Sequence, residues 1–107
     1  MDTSNPAVFV NGELLHMHVG RRVRAVIQVI QSDNVGVTGK STDGLQVVVK
    51  GILPSFALTN FVEVIGISDG DRSIRAEMWN NFGNTFDTDN YNQLCKLANG
   101  EFKHLFI

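Results

Sequence analysis

At 107 residues and 43% hydrophobic content, the chain has room for one modest core and none for a second independent domain. Its formal charge of -2 lacks the positive excess that lets a protein grip nucleic acid phosphates unaided, so partners must supply much of any such affinity. A single cysteine, Cys95, excludes an internal disulfide framework and suits a reducing compartment, and no CxxC or Cys/His spacing offers a zinc site.

Met1 to Pro6 are polar and include an acid, which fits neither a signal peptide nor an Arg-rich transit peptide, and this start is expected to fray. No apolar run approaches the ~20 residues that span a bilayer, so a soluble intracellular protein without a membrane partner is expected. Asn11 then caps a short helical turn over Gly12 to His18, a plug or lid for which Leu14, Leu15 and Val19 offer apolar contacts and Gly20 a stop. Arg21 to Ser32 reads as a long strand with Val23, Ala25, Ile27 and Val29 on one face and Arg22, Arg24 and Gln28 on the other. Val26 and Ile30 interrupt the polar face, as in a strand that bends and serves two sheets of a closed barrel.

Asp33-Asn34 signals a turn, Val35 to Thr42 a second strand, and Asp43-Gly44 a tight hairpin into Leu45 to Lys50. Gly51 to Asn60 contains Pro54 and reads as a connection, since proline cannot donate to a ladder. Phe61 to Ser68 is a fourth strand. Asp69-Gly70-Asp71 turns into a fifth, Arg72 to Phe82, in which Ile74, Ala76 and Met78 alternate with Arg75, Glu77 and Trp79. The period then changes. Asp87 or Thr88 caps a helix whose apolar residues Tyr91, Leu94, Cys95 and Ala98 recur at helical spacing, with Leu97 widening the stripe and Asn99-Gly100 ending it. Asp87 and Asp89 near its start and Lys96 near its end agree with the helix dipole.

The expected architecture is therefore all-β: a five-stranded OB-fold barrel with a short N-terminal helical turn and a C-terminal α-helix. We expect one domain over 1–107, with the barrel at about 21–83 and the helix at about 87–99. Four stretches make the likeness more specific. They are Val10-Asn11-Gly12-Glu13-Leu14-Leu15 with Val19-Gly20-Arg21-Arg22-Val23-Arg24; the hairpin Ser41-Thr42-Asp43-Gly44; the strand Phe61-Val62-Glu63-Val64-Ile65-Gly66; and the helix start Phe86-Asp87-Thr88-Asp89-Asn90-Tyr91-Asn92. In their order and spacing, and in the short connection around Pro54, the chain resembles the smallest subunits of replication protein A, the eukaryotic heterotrimeric single-stranded-DNA-binding complex.

The resemblance implies that the C-terminal helix joins one helix from each of the large and middle subunits in a three-helix bundle, with Tyr91, Leu94, Cys95, Leu97 and Ala98 as the interface. It also implies a nuclear role in DNA replication, repair and recombination. Packing of the helix on its own barrel is the plainer alternative; exposed, the stripe favours self-association of the isolated chain. The tail after Gly100 departs from related small subunits, with Phe102, Leu105, Phe106 and Ile107 crowding it.

Candidate nucleic acid contacts are Arg21, Arg22 and Arg24, the one dense basic cluster, with Lys40 and Lys50 as weaker phosphate contacts and Trp79 as a stacking surface. The alternatives are a solvated outer face for the arginines and a cluster with Phe82 and Phe86 for Trp79. No aromatic residue lies between Phe9 and Phe56, and Val35, Val37, Val47, Val48 and Val49 occupy the strands where stacking platforms would be needed, which points to a mainly architectural role. His16 and His18 lack a third ligand for a metal, and Cys95 lacks a His or Asp to activate it. Without paired carboxylates or a phosphate-cradling loop, the sequence indicates neither an enzyme nor a cofactor. An autonomous single-strand-binding module and the small OB subunit of a telomere-capping complex are the alternative readings.

Overall fold

The computed structural model describes residues 7–54 and 56–99. The fraying expected for Met1 to Pro6, the stop at Gly100 and the tail with Phe102, Leu105, Phe106 and Ile107 lie outside the described residues. The chain forms strands β1 (Val8–Phe9), β2 (Arg22–Ser32), β3 (Val37–Ser41), β4 (Gln46–Gly51), β5 (Phe61–Gly70) and β6 (Ser73–Gly83), followed by helix α1 (Thr88–Asn99). A 3-10 turn, Leu15–His18, lies between β1 and β2.

The strands pair in the order β1-β2-β3-β4-β6-β5, and β5 pairs back onto β2, so the five long strands close into a barrel. Strand β2 makes this closure possible. Its Arg22 to Gln28 half lies antiparallel to β5, its Ile27 to Ser32 half lies antiparallel to β3, and an irregularity between Val29 and Gln31 accompanies its passage to β3. Strands β4 and β6 complete the circuit in parallel, with Val49 opposite Ile74 and Lys50 opposite Arg75.

Alternation fills the interior. Val23, Ala25 and Ile27 of β2 face Val37 of β3, Val47 and Val49 of β4, Val62 and Val64 of β5, and Ile74 and Ala76 of β6, all buried in one cluster. Two departures from simple alternation have local causes. Met78 was expected beside Ile74 and Ala76 and Trp79 on the outer face, yet Met78 is 47% exposed and Trp79 only 6%. Opposite this point Ile65 pairs with Met78 and Gly66 with Ala76, so Glu77 is an extra residue in the ladder and the parity of β6 inverts after it. Gly66 admits this approach because a Cβ there would meet the Arg75 carbonyl oxygen at 2.1 Å.

The N-terminal segment plugs the barrel. The Asn11 side-chain oxygen accepts the Leu14 N–H at 3.2 Å, turning the chain so that Leu15 is fully buried and Gly20, at φ +86°, leads into β2. Val19 was expected to add to this packing but is 51% exposed, because it leaves the turn in an extended conformation. Val35, expected in the second strand, is 81% exposed in the β2–β3 turn, where the Asp33 carboxylate accepts the N–H groups of Val35 and Gly36. Strand β1 was not expected; it lies parallel to β2, Val8 opposite Val23.

Candidate partner interface and nucleic acid face

Helix α1 starts where the sequence signals place it. An Asp87 oxygen accepts the Asn90 N–H at 3.1 Å, which satisfies one of the orphan donors of the first turn. Tyr91, Cys95 and Ala98 recur along one face, and that face turns toward the chain's own barrel. Tyr91 and Cys95 form a second buried cluster with Val26, the residue that interrupts the polar face of β2, flanked by Phe9, Leu14, Phe61 and Phe86. The Tyr91 hydroxyl donates to the Arg24 carbonyl at 3.1 Å, and its ring meets Phe9 and Phe86 edge-on.

Burial raises the Tyr91 phenol far above its ordinary range. Burial also pushes the Cys95 thiol up to about 12, opposed by its hydrogen bond with Tyr91. An acid held this firmly neutral packs as a small apolar side chain.

Of the five residues expected at a partner interface, three are thus buried in this chain itself: Tyr91, Cys95 and Ala98. The stripe is wide enough to be shared, and the barrel takes one side of it. Leu94 is half-buried and Leu97 is 48% exposed; lying three residues apart, they share the flank opposite Asn92 and Asn99.

Asn92 and Asn99 clamp the helix. Asn92 Nδ2 donates to the Thr42 carbonyl at 2.8 Å, and Asn92 Oδ1 accepts from Asn11 Nδ2 at 3.2 Å and from the Thr42 hydroxyl. At the other end Asn99 Nδ2 donates to the Phe9 carbonyl at 2.7 Å, and Asn99 Oδ1 meets His18 Nε2. His16 points to solvent, and no group of three metal-ligating side chains forms among the described residues.

The four stretches that carry the resemblance converge here. The Gly12 N–H donates to the Ser41 hydroxyl at 2.6 Å and the Glu13 N–H to an Asp43 carboxylate oxygen at 2.9 Å, so the first stretch is stitched to the hairpin that Asn92 grips. A Cβ at Gly12 would come within 2.8 Å of the Leu45 Cβ, which makes glycine the residue that fits. The third stretch joins the first through Arg24, whose Nε and Nη2 donate to the two Glu63 oxygens at 3.1 and 3.2 Å.

The expected nucleic acid contacts separate into three groups. Arg22 and Arg24 are engaged in ion pairs: Arg22 Nε lies 2.9 Å from Glu77, and Arg24, stacked 4.9 Å over the Phe9 ring, pairs with the buried Glu63. Trp79 is in the core, its indole N–H donating to the Ile52 carbonyl at 2.7 Å, and it offers no face to a base. Phe82 and Phe86 cluster with each other and with Phe61 instead of with Trp79. Arg21, Lys40 and Lys50 are exposed.

Sequence reasoning passed over Arg75. Its parity on β6 was readable, but its pairing with Lys50 depends on the β4–β6 contact, which carries no local signal. A concavity of about 370 Å³ lies elsewhere, between the β2–β3 turn and the 52–60 connection, and is lined by Val29, Leu53, Phe56 and Leu58.

A family model for Replication factor A protein 3 matches residues 1–106. A replication protein A 14 kDa subunit of Arabidopsis thaliana is 64% identical over 107 residues, and the two chains cover each other completely. The chain belongs to the replication factor A protein 3 family. The replication protein A 14 kDa subunit of Oryza sativa subsp. japonica is also similar, at 50% identity over the full length of both.

Among solved structures, a chain of U. maydis replication protein A bound to ssDNA superposes with a TM-score of 0.85 at 24% identity, covering 99% of this chain and 98% of that one. Telomere capping protein Ten1 from S. pombe superposes with a TM-score of 0.69 at 13% identity, covering 85% and 95%. These likenesses show the OB-fold; the full-length sequence relatives decide between the two families in favour of replication factor A protein 3.

Proposed function

We propose that the chain is the structural small subunit of a nuclear replication protein A complex, which binds and protects single-stranded DNA in replication, repair and recombination. The observation that carries this reading is the division of labour on α1: one face locks the helix to its barrel through Tyr91, Cys95 and Ala98, and the flank bearing Leu94 and Leu97 is left for partner helices. Membership of the family supports other subunits of that complex as the partners, and the large and middle subunits are the ones this reading assigns to the helix. The role needs no catalysis and no cofactor, only a rigid barrel that holds one helix in place.

The division of faces also selects the test. Aspartate at Ala98 would damage the helix's own seat, so the informative substitutions are Leu94→Asp and Leu97→Asp together. Co-expression with the two larger subunits should yield a complex with the unaltered chain and none with the variant, whose unfolding free energy in urea stays within about 1 kcal/mol of the original. A variant that still co-elutes in the complex would refute the assignment of this flank. Self-association of the isolated chain through the same two residues is the accompanying expectation, measured by sizing at increasing concentration.

A further inference from the structure

Asn11 is the residue on which the N-terminal plug turns, and a glycine follows it. Asparagine before glycine is the pair in which a side-chain amide most readily reacts with its own backbone, because the glycine carries no Cβ to shield its nitrogen or to stiffen the chain. Position 12 is bound to remain glycine here, since a Cβ would meet the Leu45 Cβ at 2.8 Å and the Ser41 Cβ at 3.2 Å. The fold therefore requires a reactive pair and must hold it closed. Asn11 is only 3% exposed.

Three hydrogen bonds keep the reacting groups apart. The Gly12 nitrogen, the nucleophile once its proton is lost, donates that proton to the buried Ser41 hydroxyl. The Asn11 carboxamide is held at both ends: Oδ1 accepts the Leu14 N–H, and Nδ2 donates to Asn92 Oδ1 at 3.2 Å. An Asp43 oxygen lies 3.0 Å from where a Gly12 Cβ would stand, and its negative charge opposes formation of an amide anion. The first two bonds lie within the plug and the hairpin. The third crosses to α1 and is lost whenever the helix lifts, a local opening that takes less free energy than unfolding of the barrel.

We propose that Asn11 is a latent modification site guarded by the seated helix: when α1 lifts, Asn11 converts through a succinimide to aspartate or isoaspartate, and the product bars the helix from returning. The Gly12 nitrogen gives up its proton and attacks Asn11 Cγ. The new N–C bond replaces the bond to Nδ2, which leaves as ammonia with a proton made up from the one lost. Water then opens the ring at either carbonyl, and no other reagent is consumed. Aspartate presents an acceptor where Nδ2 donated to Asn92 Oδ1, and it adds a negative charge two residues before the N–H that Asp43 accepts. Isoaspartate lengthens the backbone just before a glycine that has no room to shift. A chain whose helix stays unseated is thereby retired chemically.

Peptide mass mapping of the full chain during incubation in mildly alkaline buffer tests this, with aspartate and isoaspartate separated by chromatography. Asn92→Ala leaves the reacting pair intact and removes the bond to the helix. Asn11 should then convert about tenfold faster than in the unaltered chain, the rise in open population expected when one such hydrogen bond is lost. Trp79→Phe, which weakens the core away from this site, should leave the Asn11 rate unchanged, and Asn92→Ala should not alter the rate at the exposed Asn34. The fully buried Cys95 reports the seating of α1. In aged samples, molecules modified at Asn11 should react at Cys95 with a water-soluble disulfide reagent without denaturant, and unmodified ones should not.

Equal Asn11 rates in Asn92→Ala and the unaltered chain would overturn the proposal. Equal acceleration by Trp79→Phe would do the same, since Asn11 would then open only with the whole fold. Asn11→Asp makes the aspartate product directly and should speed the Cys95 reaction by about tenfold or more. Protection of Cys95 equal to that of the unaltered chain, in Asn11→Asp or in aged molecules modified at Asn11, would overturn the claim that the product unseats the helix. Aged material decides this point if the substituted chain does not fold. No partner chain enters these measurements, so their outcome is independent of the assembly reading above.

Discussion

The Asn92 side chain reaches from α1 to Thr42 in the β3–β4 hairpin, donating to its carbonyl at 2.8 Å and accepting from its hydroxyl, while also accepting from Asn11. One amide thus ties together a helix, a hairpin and the N-terminal plug, elements that are 50 and 81 positions apart in sequence. Replacing Asn92 with Ala should cost about 1–3 kcal/mol of stability, since it leaves partly buried polar partners unmatched. Urea unfolding measures it. A double-mutant cycle with Asn11→Ala should show a coupling of at least about 0.5 kcal/mol, because the two share one hydrogen bond.

Arg24 and Arg22 look equivalent in sequence and differ in consequence. Glu63 is 5% exposed, so Arg24→Ala leaves a buried carboxylate with Asn80 as its remaining side-chain partner and should destabilise by about 3 kcal/mol. Glu77 is 43% exposed at its side chain, and loss of the Arg22 pair should cost no more than about 1 kcal/mol. Chemical denaturation of the two variants side by side checks the ordering.

Stability should fall on the alkaline side. The Cys95 thiol, at about 12 in the folded chain against 9.0 without burial, binds its proton more tightly when folded, and Tyr91 is shifted in the same direction. The resulting stabilisation is complete below about pH 8.5 and is lost as pH rises toward 12. Melting temperatures measured from pH 7 to pH 11 should decline from about pH 9, more shallowly in Cys95→Ala than in the original chain. The thiol should also resist a water-soluble disulfide reagent at pH 8 until denaturant is added.

Trp79 makes a spectroscopic reporter of the core. Its emission should be unchanged by saturating oligo-dT. Trp79→Phe, which removes the donor to Ile52 along with part of the ring, should cost about 1–3 kcal/mol without altering nucleic acid binding.

The barrel was legible because alternation is a local property: Val23, Ala25 and Ile27, or Val47 and Val49, announce an inner face without reference to their partners. Three things were not. Strand β1 is only Val8–Phe9, too short to display a period. The inverted parity of Met78 and Trp79 arises from a bulge whose cause is the register with Gly66 on another strand. The orientation of α1 depends on which surface lies beneath it, and a stripe that includes Tyr91, Leu94, Leu97 and Ala98 does not say which part the barrel claims. The same limit explains why adjacency in sequence favoured Arg22 and Arg24 while adjacency in the sheet joins Lys50 to Arg75. Val26 was the most useful irregularity: an apolar residue on a polar strand face proved to be the floor beneath Tyr91 and Cys95.

The closure of β2 onto β5 and of β4 onto β6 bears on how the molecule is made. Residues 22–28 must wait for residues 61–67, and β4 has no outer neighbour until residues 73–76 arrive, so a nascent chain on the ribosome cannot complete its core until nearly all of β6 has emerged. Folding of such distant pairings is slow compared with helix formation, and the unfinished sheet displays open edges meanwhile. Because α1 is synthesised after β6 and seats on Val26, the helix reaches its barrel late, at about the time that its outer flank becomes available to other chains.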